Sequence, residues 1–289
     1  MPQTPSFFNP RGHSLYNRLL GRCSSLRSGA ASTMRSVVRP SSSCHRLNRR
    51  LITALALVAV LGTAAYFMLS PAPPAVNVTT HAIVVDNIER SYRIALPHEL
   101  PETAPVIFAF HGIGDSPDSM ATYSQLDRLA SDHGCLLVYP AGLNAMWTAI
   151  DVDPDTLDDN RDVRFFDTIL ENVAAQHAID RKRIYLTGMS NGASFAQLLA
   201  NARSADVAAV VACSGPRPRA LNDAKHTFPI LLIVGSDDFA SGSMQSNLDY
   251  YRTAGHDAEL IIVRGLGHEW STQHNAEAWA FMADHQLSQ

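Results

Sequence analysis

The chain has 289 residues and a formal net charge of −4, and 46% of its residues are hydrophobic, which is enough for one α/β domain with extensions. Nine of its 23 basic residues lie within residues 1–50, so the rest carries 14 basic against 27 acidic residues, a net charge of about −13. Such a surface repels polyanions, which excludes nucleic acid as an expected partner. The four cysteines lack the spacing of a zinc site, and no metal or organic cofactor is expected.

Residues 1–50 are rich in arginine and serine and contain no lysine, aspartate or glutamate, so we expect a disordered basic tail. The segment from Leu51 to Leu69 is uncharged and would span about 29 Å as a helix, close to the hydrocarbon thickness of a bilayer. Arg46, Arg49 and Arg50 precede it. The positive-inside rule therefore predicts a transmembrane anchor in the lipid bilayer, with the rest of the chain outside the cytoplasm.

A cleaved signal peptide that begins at Met34 is the alternative, and it would make the protein secreted. The apolar segment is longer than the usual signal-peptide core of about 7 to 15 residues, which favours the anchor. Residues 70–79 are then a proline-rich spacer, and residues 80–289 form one compact domain.

Apolar runs between turn signals predict eight strands with helices between the later ones. The predicted strands span residues 82–85, 92–95, 106–110, 135–139, 183–187, 207–213, 230–234 and 260–263, and the predicted helices span residues 119–131, 162–177, 190–200, 243–253 and 275–285. Asp162 is the expected N-cap of the second helix. Strands that are apolar throughout predict a mostly parallel sheet with helices on both faces, and the first two strands predict an antiparallel hairpin at one edge.

The motif GMSNG, residues 188–192, lies between the fifth predicted strand and the helix that follows it. A serine held on a sharp strand-to-helix turn between two glycines is typical of the nucleophile in the α/β-hydrolase fold. In that fold the acid and the base follow the serine in the order Ser, Asp, His. The carboxyl ends of parallel strands meet at one edge of the sheet, so we expect these residues to share one crevice.

Ser190 is the predicted nucleophile, and His268 is the predicted base because it lies in a glycine-rich loop just after the eighth strand. Two adjacent carboxylates, Asp237 and Asp238, follow the seventh strand. The pattern Gly-x-x-Asp counted from Gly235 favours Asp238 as the acid that orients the histidine, with Asp237 as the alternative.

An oxyanion needs preorganised N–H donors, and the backbone amides of Asn191 and Ile113 are the predicted pair. Asn191 follows the nucleophile at a helix N-terminus, and Ile113 lies in the glycine-rich loop after the third strand. Trp147 and Trp270 fall on the same side of the sheet and are predicted to line the substrate pocket. A structural wedge is the alternative interpretation of a tryptophan at such a position.

Several segments together resemble the polyhydroxybutyrate depolymerase and feruloyl esterase group of α/β-hydrolases over nearly all of residues 80–289. These segments are HGIGDS, CLLVYPAGLNAMW, DVRFFDTIL, IDRKRIYLTGMSNGASFAQLLA, GSDD and GLGHEW. HGIGD is also similar to acyl-protein thioesterases and related carboxylesterases. The resemblance implies an esterase with Ser190, Asp238 and His268 as its catalytic triad.

Two loops depart from that group: Val234 stands where many relatives have histidine, and residues 271–273 replace a segment rich in proline and glycine. The resemblance therefore leaves polymer, feruloyl and simple esters open. The sequence predicts a serine carboxylic-ester hydrolase that forms an acyl-serine intermediate with a small-molecule or oligomeric ester. A peptidase on the same fold and a non-catalytic, membrane-tethered binding module are the alternatives.

Overall fold

A computed structural model describes Leu55 and residues 75–288 of the protein. The predicted basic tail, residues 1–50, lies outside the described residues, and so does the predicted anchor from Leu51 to Leu69 apart from that one residue. Within the described part of the chain, no helix is both long enough and apolar enough to cross a bilayer.

In the described part of the chain, eight strands follow one another with helices between most of the later ones, as the apolar runs predict. Their bounds are β1 Val76–Val85, β2 Ile88–Pro97, β3 Ala104–Phe110, β4 Leu136–Pro140, β5 Ile179–Met189, β6 Ala209–Cys213, β7 Ile230–Gly235 and β8 Ala258–Val263. They form one sheet in the order β1-β2-β4-β3-β5-β6-β7-β8. The β1–β2 and β2–β4 pairs are antiparallel and the other pairs are parallel, which confirms the mostly parallel sheet and its antiparallel edge hairpin.

The edge hairpin is longer than the sequence predicts. Val76 already pairs with Pro97, so β1 begins four residues before Thr80 and takes up the end of the predicted 70–79 spacer. The two turn residues, Asp86 and Asn87, have φ angles of 53° and 62°. Aspartate and asparagine tolerate this left-handed conformation, which matches the twist of a two-residue hairpin.

Among residues 75–288, six α-helices cover the sheet: α1 Pro117–Ser124, α2 Asp127–His133, α3 Arg161–Gln176, α4 Asn191–Ala202, α5 Ser241–Thr253 and α6 Asn275–Ala283. The single helix predicted over residues 119–131 is wrong, because Gln125 has a φ of 55° and ends α1. The predicted cap of α3 is also wrong. Asn160 caps this helix by accepting hydrogen bonds from the Asp162 and Val163 amides, and the Asp162 side chain is buried.

The sheet buries side chains on both of its faces, which explains why its central strands are apolar throughout. In β3, Phe108 and Phe110 belong to one core and Ile107 and Ala109 to the other, as the two-residue period of a strand requires. Helices α3, α4 and α5 cover the first core, and helices α1, α2 and α6 cover the second. Helices on both faces of the sheet are thereby confirmed.

Candidate active site

The turn between β5 and α4 holds Ser190 in a strained conformation, with φ 55° and ψ −120°. Its amide donates to the carbonyl oxygen of Cys213 at 2.9 Å, which ties the turn to the end of β6. A Cβ atom on Gly192 would lie 2.1 Å from the carbonyl oxygen of Phe110. The strain is therefore maintained by close backbone packing that only glycine permits.

We expect Gly192→Ala to destabilise the protein by about 1–3 kcal/mol, because the added methyl group overlaps the backbone at the end of β3. Gly242→Ala is the matched control. It replaces a glycine in the first turn of α5 where an added Cβ meets no atom within 4 Å, so stability should stay the same or rise. Urea unfolding of both variants tests this, and equal midpoints would contradict it.

The structure brings Ser190, Asp238 and His268 together, although 78 residues separate the serine from the histidine. The Ser190 hydroxyl lies 2.9 Å from Nε2 of His268, and Nδ1 of His268 lies 3.1 Å from each carboxylate oxygen of Asp238. These contacts fit a neutral imidazole that donates from Nδ1 and accepts at Nε2. The three side chains are thus arranged for proton transfer from the serine.

The two adjacent aspartates have different surroundings. The Asp238 side chain is fully buried, and its Oδ1 also accepts the Ala240 amide at 2.8 Å. Asp237 is exposed and accepts a hydrogen bond from the Ser236 hydroxyl. The structure therefore gives His268 a rigid acceptor in Asp238, and Asp237 faces solvent.

Both predicted oxyanion donors lie beside Ser190. Asn191 is the first residue of α4, and Ile113 lines the pocket that contains the serine. Within residues 75–288 neither N–H group has a hydrogen-bond partner, so both can donate to a bound oxygen atom. The Gly114 amide donates to the carbonyl oxygen of Ala145 at 2.8 Å, which fastens the Ile113 loop to the segment after β4.

Trp147 lies in the core, and the prediction that it lines the substrate pocket is wrong. It is 1% exposed, its ring stacks on Phe195 at 5.1 Å, and its indole N–H donates to the carbonyl oxygen of His111. The Asn191 side chain holds the Trp147 backbone from the other side, accepting from its amide at 2.7 Å. Trp147 is therefore a wedge that braces the two loops carrying the predicted oxyanion donors.

A cavity of about 480 Å³ opens above Ser190. It is lined by Gly112, Ile113, Asp115, Tyr123, Met189, Ser190, His268, Glu269 and Trp270. Trp270 lines this cavity, and because its indole N–H donates to Asn275 at 2.9 Å, the side chain offers mainly an apolar surface. Within the described residues, no group of three or more His, Cys, Asp or Glu side chains could hold a metal ion.

Residues 92–286, more than half of the chain, match the phospholipase/carboxylesterase family. The chain belongs to this family. The feruloyl and acetylxylan esterases among its relatives, described next, agree with the feruloyl esterase part of the resemblance.

Several known esterases are similar in sequence to this chain. It is 26% identical over 149 residues to the bifunctional acetylxylan esterase/xylanase XynS20E of Neocallimastix patriciarum, which covers 52% of this chain and 21% of the relative. It is 29% identical over 187 residues to feruloyl esterase D of Neurospora crassa, which covers 58% of this chain and 62% of the relative. The matched regions thus span less than two thirds of either relative.

Solved structures with the same fold include a ferulic acid esterase, with 20% identity and a TM-score of 0.58 over 72% of this chain and 97% of the other. An S-formylglutathione hydrolase from Agrobacterium tumefaciens has 13% identity and a TM-score of 0.59 over 76% and 98% of the two chains. These similarities show that the chain has the α/β-hydrolase fold.

Phe239 is a site residue that sequence reasoning did not find. Its ring stacks on the His268 imidazole with the ring centres 4.4 Å apart, and 82% of the side chain is exposed. The only available signal was one aromatic residue in the otherwise small and polar loop after β7. Phe239 therefore covers one side of the imidazole.

His111 supports the loop that carries Ile113 and requires a neutral ring to do so. Its Nδ1 lies 2.8 Å from the carbonyl oxygen of Gly112, and its Nε2 accepts the Gly142 amide at 2.9 Å. A proton on Nε2 would oppose that second hydrogen bond. Burial lowers the pKa of His111 below its usual 6.5.

We expect the free energy of unfolding to fall as the pH falls from 7 to 5. With a lowered pKa in the folded state, His111 binds its proton more readily in the unfolded chain, so its contribution is present above about pH 6.5 and is lost below it. His111→Gln should reduce this slope, whereas His226→Gln, at an exposed histidine, should not. Urea unfolding at several pH values measures both, and equal slopes in wild type and His111→Gln would contradict the expectation.

Proposed function

We propose that the protein is a serine carboxylic-ester hydrolase that forms an acyl-serine intermediate. The chain of hydrogen bonds from Asp238 through His268 to Ser190, at the base of an open cavity, is the observation that supports this most strongly. Membership of the phospholipase/carboxylesterase family supports the same class of reaction.

The reaction follows from the positions of the atoms. Nε2 of His268 takes the hydroxyl proton as Ser190 Oγ attacks the ester carbonyl carbon, and the Asn191 and Ile113 amides hold the resulting oxyanion. The imidazolium then gives its proton to the departing alkoxide, which leaves as an alcohol. Water repeats these steps on the acyl-serine and releases a carboxylic acid. Asp238 keeps the imidazole in the tautomer that accepts the serine proton.

We infer that the substrates are small or oligomeric esters of the kind named for the relatives, feruloyl and acetylated-sugar esters. A cavity of about 480 Å³ is large enough for such an acyl group, and Trp270 and Ile113 offer apolar surface to it. Hydroxybutyrate oligomers, which the sequence resemblance also suggests, remain a candidate. Rates on acetyl, feruloyl and hydroxybutyrate esters of one alcohol would rank the three classes.

Turnover of p-nitrophenyl acetate and butyrate by the purified protein tests the proposal. We expect wild-type turnover to be abolished in Ser190→Ala, because the variant lacks the hydroxyl that Nε2 of His268 contacts. Wild-type rates no higher than those of Ser190→Ala would overturn the proposal. Hydrolysis of matched amides as fast as esters would assign the site to a peptidase.

We further propose that the enzyme acts outside the cytoplasm, anchored by the segment from Leu51 to Leu69. The support is the length of this apolar segment and the arginines before it. N-terminal sequencing of the exported protein tests the anchor. A mature protein that begins after Leu69 would replace the anchor with a cleaved signal peptide.

A further inference from the structure

The cavity above Ser190 has an acidic lining. Two carboxylates, Asp115 and Glu269, line it, and its lining contains no lysine or arginine. Neither carboxylate forms an ion pair with another part of the described chain. Their negative charges therefore act on whatever occupies the cavity.

Asp115 lies on the wall next to the nucleophile. Its Oδ2 is 3.9 Å from the position that a Cβ atom on Gly112 would occupy, and the Ser190 Cβ is 3.7 Å from that position. The Asp115 amide donates to the carbonyl oxygen of Gly112 at 3.3 Å, which keeps the turn compact. A charged group on the substrate close to the scissile ester would thus lie near this carboxylate.

Tyr123 adds a neutral polar group to the same wall. Its hydroxyl is buried beside the Asp115 carboxylate and, within the described residues, makes no hydrogen bond of good geometry. Burial and the charge of Asp115 raise the pKa of Tyr123, so the phenol keeps its proton. A substrate hydroxyl that reaches this buried phenol would give it a well-formed hydrogen bond. We call Asp115, Tyr123 and Glu269 the acidic wall.

We propose that the acidic wall makes the enzyme select uncharged, hydroxyl-bearing esters and discriminate against esters that carry a carboxylate. This inference rests on the proposed function. A substrate carboxylate would enter the cavity beside two like charges, with no lysine or arginine in the lining to compensate. A substrate hydroxyl can hydrogen-bond both to a carboxylate of the wall and to Tyr123.

Three p-nitrophenyl esters with acyl chains of the same length test this: the hexanoate, the 6-hydroxyhexanoate and the adipate monoester. They end in a methyl group, a hydroxymethyl group and a carboxylate. We expect wild-type kcat/KM to be highest for the hydroxy ester and lowest for the adipate. For each variant, the kcat/KM values for two esters are divided by one another. A loss of active protein lowers both values equally and therefore does not change their ratio.

Asp115→Asn should raise the adipate-to-hexanoate ratio by roughly tenfold, because it removes one like charge from the wall. Tyr123→Phe should lower the ratio of hydroxyhexanoate to hexanoate several-fold. Glu259→Gln is the control: it removes the same charge from an exposed position on β8 outside the cavity and should leave both ratios unchanged. Added salt should raise the wild-type adipate-to-hexanoate ratio, a result that needs no variant.

The outcomes of these experiments distinguish the proposed substrate selectivity from the proposed esterase activity. Suppose that the protein hydrolyses the hexanoate ester but that neither Asp115→Asn nor salt changes the adipate-to-hexanoate ratio. This result would overturn the proposed selectivity and would still support the proposed esterase activity. Absence of turnover for all three esters in folded wild-type protein would overturn both.

Discussion

Replacing Asp238 with asparagine is expected to lower kcat for a p-nitrophenyl ester by about 10⁴-fold. The carboxylate accepts the Nδ1 proton of His268 through two oxygen atoms at 3.1 Å. An asparagine amide can donate to Nδ1 instead, which shifts the proton to Nε2, where it blocks transfer from Ser190. The variant should fold, because the side-chain shape is retained and the carbonyl oxygen can still accept the Ala240 amide.

Asp237→Asn is the matched control, since it makes the same change at the adjacent residue. The Asp237 side chain is exposed and contacts the Ser236 hydroxyl and not the imidazole, so kcat should stay near the wild-type value. Steady-state kinetics of both purified variants decide between the two carboxylates. A large loss in Asp237→Asn with little change in Asp238→Asn would reverse the assignment of the acid.

Asp162→Ala is expected to destabilise the protein by about 3–5 kcal/mol, because it leaves the charge of Arg90 buried without its partner. The two side chains are 4% and 0% exposed and form an ion pair at 2.9 Å. Asp162 also accepts hydrogen bonds from the amide and the hydroxyl of Thr148. Burial lowers the pKa of Arg90, and Asp162 opposes that shift. Removing the carboxylate therefore leaves several buried donors unpaired.

Asp167→Ala provides the comparison on the same helix. Asp167 also pairs with an arginine, Arg203, at 2.7 Å, but its side chain is 39% exposed. Water screens such a pair, so we expect a loss of no more than about 1 kcal/mol. Chemical denaturation of both variants measures the difference. Equal losses would show that burial does not determine the strength of the Asp162 interaction.

The sequence predicted the parts of the fold that depend on local patterns. Apolar runs located all eight strands, and the position of GMSNG between a strand and a helix located Ser190. Short sequence patterns do not encode every local conformation. The left-handed conformation of Gln125, which divides α1 from α2, was therefore not predicted. The start of β1 at Val76 was missed because pairing with β2 extends the strand through residues with no clear alternation.

Contacts between segments that are distant in the sequence were the part of the site that was hardest to predict. Strand order alone implied that the loops carrying Ser190 and His268 would meet. Nothing local marks Trp147 as a core wedge, because its contacts come from His111 and Phe195 in other segments. The same holds for Asp162, whose partner Arg90 is 72 residues away. Such side chains acquire their roles only when the sheet brings their segments together.

Covalent labelling by a fluorophosphonate probe tests the central claim most directly, because the probe reacts only with a serine that a base activates. Mass spectrometry of the digested, full-length protein should place a single adduct on Ser190 and find none in Ser190→Ala. Well-folded wild-type protein that takes up no probe, or that carries the adduct on another serine, would contradict the account.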